Sequence, residues 1–294
     1  MPEVVLLTLG DGPSEPCGSE ASATARVPVL ACADALRASG ARVETVTANE
    51  DGEIDSAVKA VTEGGARLVV AAASDGELRA VLRRLLRQYA PSPANRPDDL
   101  PAGRTVYDLP PIGILPLAPA VPDLVTRLGL PRTPATVAAA VLGGRERRLD
   151  LLRNDGGSLT LHAAVVGATD ASGQATTWHG LVEVDDIVLS DGRDALLAAA
   201  VANAGPVEIA GLPMVVEARG DDGVVEVAVA VPVLKRRLLA PASVRVEVRR
   251  ARGRAVSVTP REPEVDLVDD GVRAGLTRKR TWWIEPSAWA VHIP

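Results

Sequence analysis

The sequence predicts an α/β plus β architecture: an N-terminal three-layer α/β domain with a parallel sheet, over residues 1–134, and a C-terminal antiparallel β-sandwich domain, over residues 135–294. Three observations carry this. The first third alternates continuous apolar runs with helix-period stretches, the pattern of a parallel sheet covered on both faces. From about Leu149 the hydrophobic period falls to two and Asp-Gly turns punctuate the chain, the pattern of antiparallel strands. At 294 residues the chain is too long for one ordinary core and suits two domains of roughly 130–160 residues each.

The apolar run Val4 to Leu9 reads as a strand buried on both faces. Val29 to Ala38 reads as a helix with Leu36 inward and Gly40 ending it. Arg42 to Thr47 is a second strand. Ile54, Val58 and Val61 fall at helical spacing before Gly64-Gly65, and Leu68 to Ala73 is a third strand. Leu78, Val81, Leu82, Leu85 and Leu86 mark one helix face. Ala90 to Arg104, rich in Pro, Asp and Asn, forms a loop or lid. Ile112 to Leu117 is a fourth strand, Asp123 to Leu128 a short helix, and Ala135 to Leu142 a further helix closed by Gly143-Gly144. Beyond it, alternation around Leu159–Val165, Val224–Val229 and Val244–Arg249 predicts strands, with turns at Asp155-Gly156-Gly157, Asp191-Gly192, Asp222-Gly223 and Asp270-Gly271.

Apolar residues make up 47% of the chain but aromatic ones only 2%, with no Phe, so the core must be Ala, Val and Leu. A net charge of −6 argues against a general nucleic-acid binder, whose phosphate contacts need a basic surface. Cys17 and Cys32 form neither a metal spacing nor a disulfide framework, and the N-terminus lacks a basic lead-in, which together point to the cytoplasm. His162, His179 and His292 are scattered. Arg278, Lys279 and Arg280 beside Trp282 and Trp283 form a basic-aromatic cluster. It reads either as a solvated strand edge with two half-buried tryptophans or as a contact for an anionic headgroup at a membrane surface.

Four segments resemble the diacylglycerol kinase catalytic domain family, whose fold sphingosine kinases share and NAD kinases share more distantly. Leu68 to Leu82, containing Ser74-Asp75-Gly76-Glu77, stands where the family has a strand, a Gly-Gly-Asp-Gly-Thr loop and a helix. Pro111 to Pro131, with Ala118-Pro119-Ala120-Val121-Pro122-Asp123, stands where it has a Gly-Thr-x-Asn-Asp loop. Arg147 to Arg153 resembles the opening of its second domain. Val268-Asp269-Asp270-Gly271-Val272 and the strands to Pro294 resemble its terminal Asp-Gly-Glu turn and last strands, in the manner of actinobacterial members.

The resemblance implies ATP and Mg²⁺ as cofactors, a lipid or small-molecule hydroxyl as acceptor, and C-terminal strands completing an interdomain cleft. Ser74, Asp75, Gly76, Glu77, Ala118 and Asp123 become cofactor-binding candidates, and Asp270 the general base. The bound metal is unknown: Glu217, Asp221, Asp222 and Glu226 lie in an acidic stretch that Arg219 interrupts. Self-association as a homodimer stays open.

Each candidate also has a plainer reading. Asp75-Gly76 makes an ordinary strand-to-helix turn, Asp123 an N-cap, and Asp270-Gly271 a hairpin turn. The departures from the family pattern bear on activity. Ala73 and Ser74 replace two glycines whose amides would approach phosphate, and Glu77 puts a carboxylate where phosphates would sit. At an effective dielectric of about 20, like charges ~4 Å apart repel by roughly 4 kcal/mol. Ala118, Pro119, Val121 and Pro122 remove donors, and Val272 replaces a Glu. The functions to separate are thus an ATP-dependent lipid kinase, a kinase of a soluble metabolite, and a non-catalytic relative that binds a ligand or a protein.

Overall fold

The computed structural model describes residues 1–10, 20–91, 97–117, 123–167, 169, 176–237 and 240–294, with backbone alone at 20–25 and 234–243. The chain divides into two compact units, one of residues 1–149 with 287–294 and the other of residues 150–286. Among the described residues no helix is long and apolar enough to cross a membrane.

The first unit is built on β1 (Glu3–Leu9), α1 (Glu20–Ala38), β2 (Arg42–Ala48), α2 (Asp51–Gly64), β3 (Arg67–Ala72), α3 (Asp75–Tyr89), β4 (Pro111–Pro116), α4 (Leu124–Arg127) and α5 (Pro134–Gly143). The four strands are parallel in the order β2-β1-β3-β4, and the chain's last strand adds Ala290 and Val291 beside β4, also parallel. Val4 and Leu6 alternate with Val5 and Leu7 along β1, and all four are buried. Val4 and Leu6 join Val29, Leu36, Val69, Leu115, Val137 and Val141 in a core under α1 and α5. Buried Ile54 and Val58 of α2 and Leu78, Val81 and Leu82 of α3 supply the third layer, since α2 and α3 pack on β1 and β3. This is why the strands read as unbroken apolar runs.

Helix α1 is longer than its apolar pattern suggested. It begins at Glu20 and runs through Pro28, which usually ends a helix by removing an N–H donor. Gly113 on β4 lets α5 come close: a Cβ there would lie 2.5 Å from Val141 Cγ2 and 3.2 Å from Val69 Cγ2.

The second unit holds the outer part of β5 (Arg145–Asn154), then β6 (Leu159–Thr160), β7 (Ala163–Gly167), β8 (Trp178–Val184), β9 (Ile187–Leu196), β10 (Ala198–Ala202), β11 (Val207–Ile209), β12 (Leu212–Val215), β13 (Val225–Arg237), β14 (Ala240–Gly253), β15 (Ala255–Pro260), β16 (Val265–Asp269), β17 (Val272–Leu276) and the first half of β18 (Arg280–Ile293). One antiparallel sheet runs β14-β13-β10-β7-β16-β17, and a second joins β18, β15, β8 and β9. Their inner faces share one core, in which Trp178, Val182, Trp282 and Ile284 meet Val201, Val227, Val229 and Leu267. The unit is therefore a β-sandwich. The β11–β12 hairpin covers the outer face of β10 and β13, packing Val207, Met214 and Val215 on Ala198, Ala200, Ala202, Ala228 and Ala230.

One turn expectation and one strand expectation need correction. Asp191-Gly192 is not a turn between strands: both residues lie inside β9, where the register with β8 shifts and Gly192 has φ +79°. It is a bulge, which borrows the same positive-φ glycine. The alternating run Leu159–Val165 is broken at Leu161-His162 into β6 and β7.

Gly113→Ala should destabilise the protein by about 1–3 kcal/mol, because the added methyl forces Val141 out of place. Denaturant melts of the two proteins measure this, and an unchanged midpoint would mean that α5 does not lie against β4.

Candidate functional site

The strand-to-helix turn after β3 is the place where a parallel sheet of this kind presents backbone amides to an anion. Here the chain's own side chains take those amides. Ser74, extended at φ −149°, caps α3 and its Oγ accepts the Glu77 N–H at 3.3 Å. The Glu77 carboxylate reaches back and accepts the Ala73 N–H at 2.8 Å. This is a capping arrangement in which two donors are satisfied reciprocally. It also puts negative charge at the positive end of α3.

Asp75 points to a different element. Its carboxylate accepts the Leu124 N–H at 3.0 and 3.2 Å and stands 3.6 Å from Arg127 Nη1. Burial raises its pKa, against the pull of the Leu124 amide and Arg127, while the neighbouring charge of Asp123 adds to the rise. Asp123 caps α4, accepting the Thr126 N–H at 2.8 Å and the Thr126 hydroxyl at 2.6 Å, and pairs with Arg132 at 2.7 Å. Burial alone would raise its pKa, but Arg132 and Thr126 outweigh that and hold it low. So the structure brings Ser74, Asp75, Gly76, Glu77 and Asp123 together in the first unit, with Asp75 tying α3 to α4. Ala118, with Pro119, Val121 and Pro122, lies outside the described residues, as do residues 11–14 of the N-terminal Gly-Asp-Gly segment and Cys17.

Arg127 and Arg132 were missed by sequence reasoning. Their spacing after Asp123 is the available signal, since cations follow an N-cap carboxylate in a short helix and its exit.

Asp270 sits in the second unit, at the two-residue turn between β16 and β17, where it and Gly271 have φ of +48° and +81°. It is 5% exposed. Its carboxylate accepts the N–H of Leu161 (2.8 Å), His162 (2.8 Å) and Ala163 (3.2 Å), while its own N–H donates to Ala163 O at 3.0 Å. Beside it Asp269 accepts the Thr160 hydroxyl at 2.7 Å. These bonds explain the break between β6 and β7: the amides that would continue a ladder are turned to Asp270 instead.

Three of the four carboxylates in the acidic stretch pair with arginines. Asp222 and Glu226 both contact Arg252, and Asp221 contacts Arg219. Among the described residues no group of three or more His, Cys, Asp or Glu is placed to hold a metal ion. Of the histidines, His162 lies 3.2 Å from Pro206 O and His179 pairs with Glu262 at 3.1 Å. His292 is buried, which lowers its pKa. An open groove of about 620 Å³ in the second unit carries Glu262, Glu264 and Asp266 against Arg273, a balance that repels polyphosphate.

In the basic-aromatic cluster the structure corrects the expectation of two half-buried tryptophans, since only Trp283 is half-buried. Trp282 is fully buried. Trp283 donates from Nε1 to Glu285 at 2.9 Å and lies under the Arg153 guanidinium, 5.5 Å from its ring centre. Arg280 pairs with Asp155 at 3.1 Å.

Residues 19–154 match the family model described as the diacylglycerol kinase catalytic domain. Among solved structures, a diacylglycerol kinase from Bacillus anthracis strain Sterne superposes with a TM-score of 0.64 at 15% identity, over 99% of this chain and 96% of that one. Two further structures from the same organism, provisionally assigned as diacylglycerol kinases, give TM-scores of 0.65 at 16% and 14% identity, over 99% of this chain and 96% and 97% of theirs. No curated protein matches. At these identities the structures establish the fold.

Asp270→Ala should destabilise the second unit by about 3 kcal/mol or more, since three amides lose one acceptor and unmet buried donors cost about 1–3 kcal/mol each. Asp270→Asn, which keeps one carbonyl and tolerates positive φ, should lose less. Urea melts decide, and equal stability of all three proteins would show that the carboxylate does not hold this break.

Proposed function

We propose that this chain, whose residues 19–154 match the diacylglycerol kinase catalytic domain model, is a lipid-kinase-like protein that has closed its first nucleotide loop and acts as a non-catalytic relative. The observation that carries this is the Glu77 carboxylate on the Ala73 amide, with Ser74 Oγ on the Glu77 amide. A phosphate oxygen would have to displace both acceptors and then sit beside a carboxylate. A repulsion of roughly 4 kcal/mol corresponds to about a thousandfold in affinity. ATP with Mg²⁺ therefore does not fit the first loop as these residues stand, and no step of phosphoryl transfer is routed through it. The fold remains able to bind a different ligand or a protein. A cytoplasmic setting is part of this reading, supported by Cys32, a buried free thiol whose pKa burial pushes up to about 11.

A second reading keeps the family chemistry: ATP-dependent phosphorylation of a lipid hydroxyl such as that of diacylglycerol, with Asp270 as base. The buried carboxylate at the Asp-Gly turn favours it. Its three amide donors weigh against it, since they stabilise the charged carboxylate and take three of its roughly four lone-pair sites, which weakens it as a base. A soluble acceptor would be used in the same way.

Thermal-shift titration with Mg-ATP separates the readings. Saturation at a hundred times a dissociation constant adds about 2.7 kcal/mol of stability. The wild type should show no shift at micromolar Mg-ATP, and Glu77→Thr, which frees the Ala73 amide, should gain one. Clear stabilisation of the wild type at low micromolar Mg-ATP, or transfer of labelled phosphate to a lipid in a mixed extract, would overturn the non-catalytic reading.

A further inference from the structure

Strand β2 is the end of its sheet. It comes first in the order β2-β1-β3-β4 and pairs with β1 alone, over its 7 residues with no shift of register. Two contacts fix the direction of its backbone groups. The Arg42 N–H donates to Pro2 O at 2.9 Å, and Ala48 O accepts the Gly10 N–H at 2.8 Å. Backbone groups alternate in direction along a strand, so Arg42, Glu44, Val46 and Ala48 turn theirs to β1. Val43, Thr45 and Thr47 then turn their N–H and C=O groups outward, and among the described residues no strand pairs on that side. The strand carries no Pro and no bulge to blunt this edge. Arg42 is tied to Glu3 at 3.3 Å, which leaves Glu44 as its unpaired charge.

A groove of about 230 Å³ lies between this edge strand and α2. Val5, Val46, Ala57 and Ala60 give it an apolar lining, and Glu44 and Glu53 are its charged members. No Lys, Arg or His lines it. Glu44 stands opposite Val5 in the register and two residues from Val46, which puts the three side chains on one face of the sheet. Glu53 accepts the Asn49 N–H at 2.6 Å, while the Glu44 carboxylate has no hydrogen bond or ion pair among the described residues. An apolar lining with two carboxylates suits the stem and the charged head of a Lys or Arg side chain.

We propose that β2 accepts an extended basic segment of a partner protein as an added strand, with one of its Lys or Arg side chains in this groove. The open edge supplies the backbone bonds, and the groove supplies the preference for a cation. Charge selects this partner over a second copy of the chain. Two β2 edges joined antiparallel would set both Glu44 carboxylates on one face of the joined sheet, where like charges oppose the pairing. A neutral or acidic strand would cover Glu44 without meeting its charge. The site is built within the first unit and does not use the turn between β3 and α3, so it stands whether or not Mg-ATP binds.

Fluorescence anisotropy of the full chain with short labelled peptides tests it. The probe alternates Thr with Lys and Val. One control replaces each Lys by Glu, and another carries a methyl group on every internal amide nitrogen, which removes the donors of strand pairing. The basic peptide should bind saturably, and more weakly as salt rises. The Glu peptide should not bind, and the methylated one should bind about tenfold more weakly or worse. Thr45→Pro removes a donor that the β1 ladder does not use, so it should weaken binding by roughly tenfold while the melting temperature stays in place. Glu44→Lys should weaken it by about tenfold or more. A wild type that does not bind the basic peptide overturns the proposal. Equal binding of the methylated peptide does so too, since only diffuse charge attraction would then be left, and so does a wild type that instead dimerises until Thr45→Pro separates it.

Discussion

Backbone amides leaving a strand or opening a helix must find an acceptor, and in this chain carboxylates of the chain itself supply it. Glu77 takes the Ala73 amide, Asp75 that of Leu124, Asp123 that of Thr126, and Asp270 those of residues 161–163. The same device recurs at Asp150 with Gly223, Asp185 with Arg254 and Ala255, Asp155 with Thr281, and Glu262 with His179. A carboxylate accepting an N–H makes a stronger bond than a neutral acceptor does. These contacts fix turns that a core of small aliphatic side chains could not fix by shape alone.

That core sets its own constraint. With no Phe and few rings, each buried position contributes modest area, so elements must approach closely to bury enough of it. The all-alanine outer face of β10, covered by β11 and β12, and the contact of α5 at Gly113 are two expressions of this. The four tryptophans are used sparingly, with Trp178 and Trp282 in the sandwich core and Trp289 buried on β18. Small side chains at close approach leave little slack for substitution.

The parts of the molecule visible in the sequence are those where one physical rule acts alone. Val4–Leu9, Leu68–Ala73 and Ile112–Leu117 read as buried strands because both faces of the parallel sheet are covered, and the structure places strands there. The helix faces at Ile54–Val61 and Leu78–Leu86 were legible for the same reason. What stayed hidden involves competition between rules or partners remote in sequence. Asp191-Gly192 satisfies the residue preference of a turn and equally that of a bulge, and only the pairing of β8 with β9 decides. The interruption at Leu161-His162 comes from Asp270, more than a hundred residues away. At the candidate site, the residues around Asp75 were legible because they follow a buried strand. That Asp75 reaches Leu124 and Arg127 was not, since nothing local to either segment specifies the other.

The same economy shapes the turn between β3 and α3. A glycine-rich phosphate loop leaves donors unmet until a ligand arrives, and those donors cost stability in the empty protein. In this chain Ser74 and Glu77 meet the donors at the start of α3, so the helix begins from a satisfied cap. The sheet beneath does not rest on this turn, because β3 and β4 pair with each other and pack side chains into the core under α1 and α5. The acidic balance of the molecule follows from the same habit, since many of its carboxylates serve the backbone or pair with arginines.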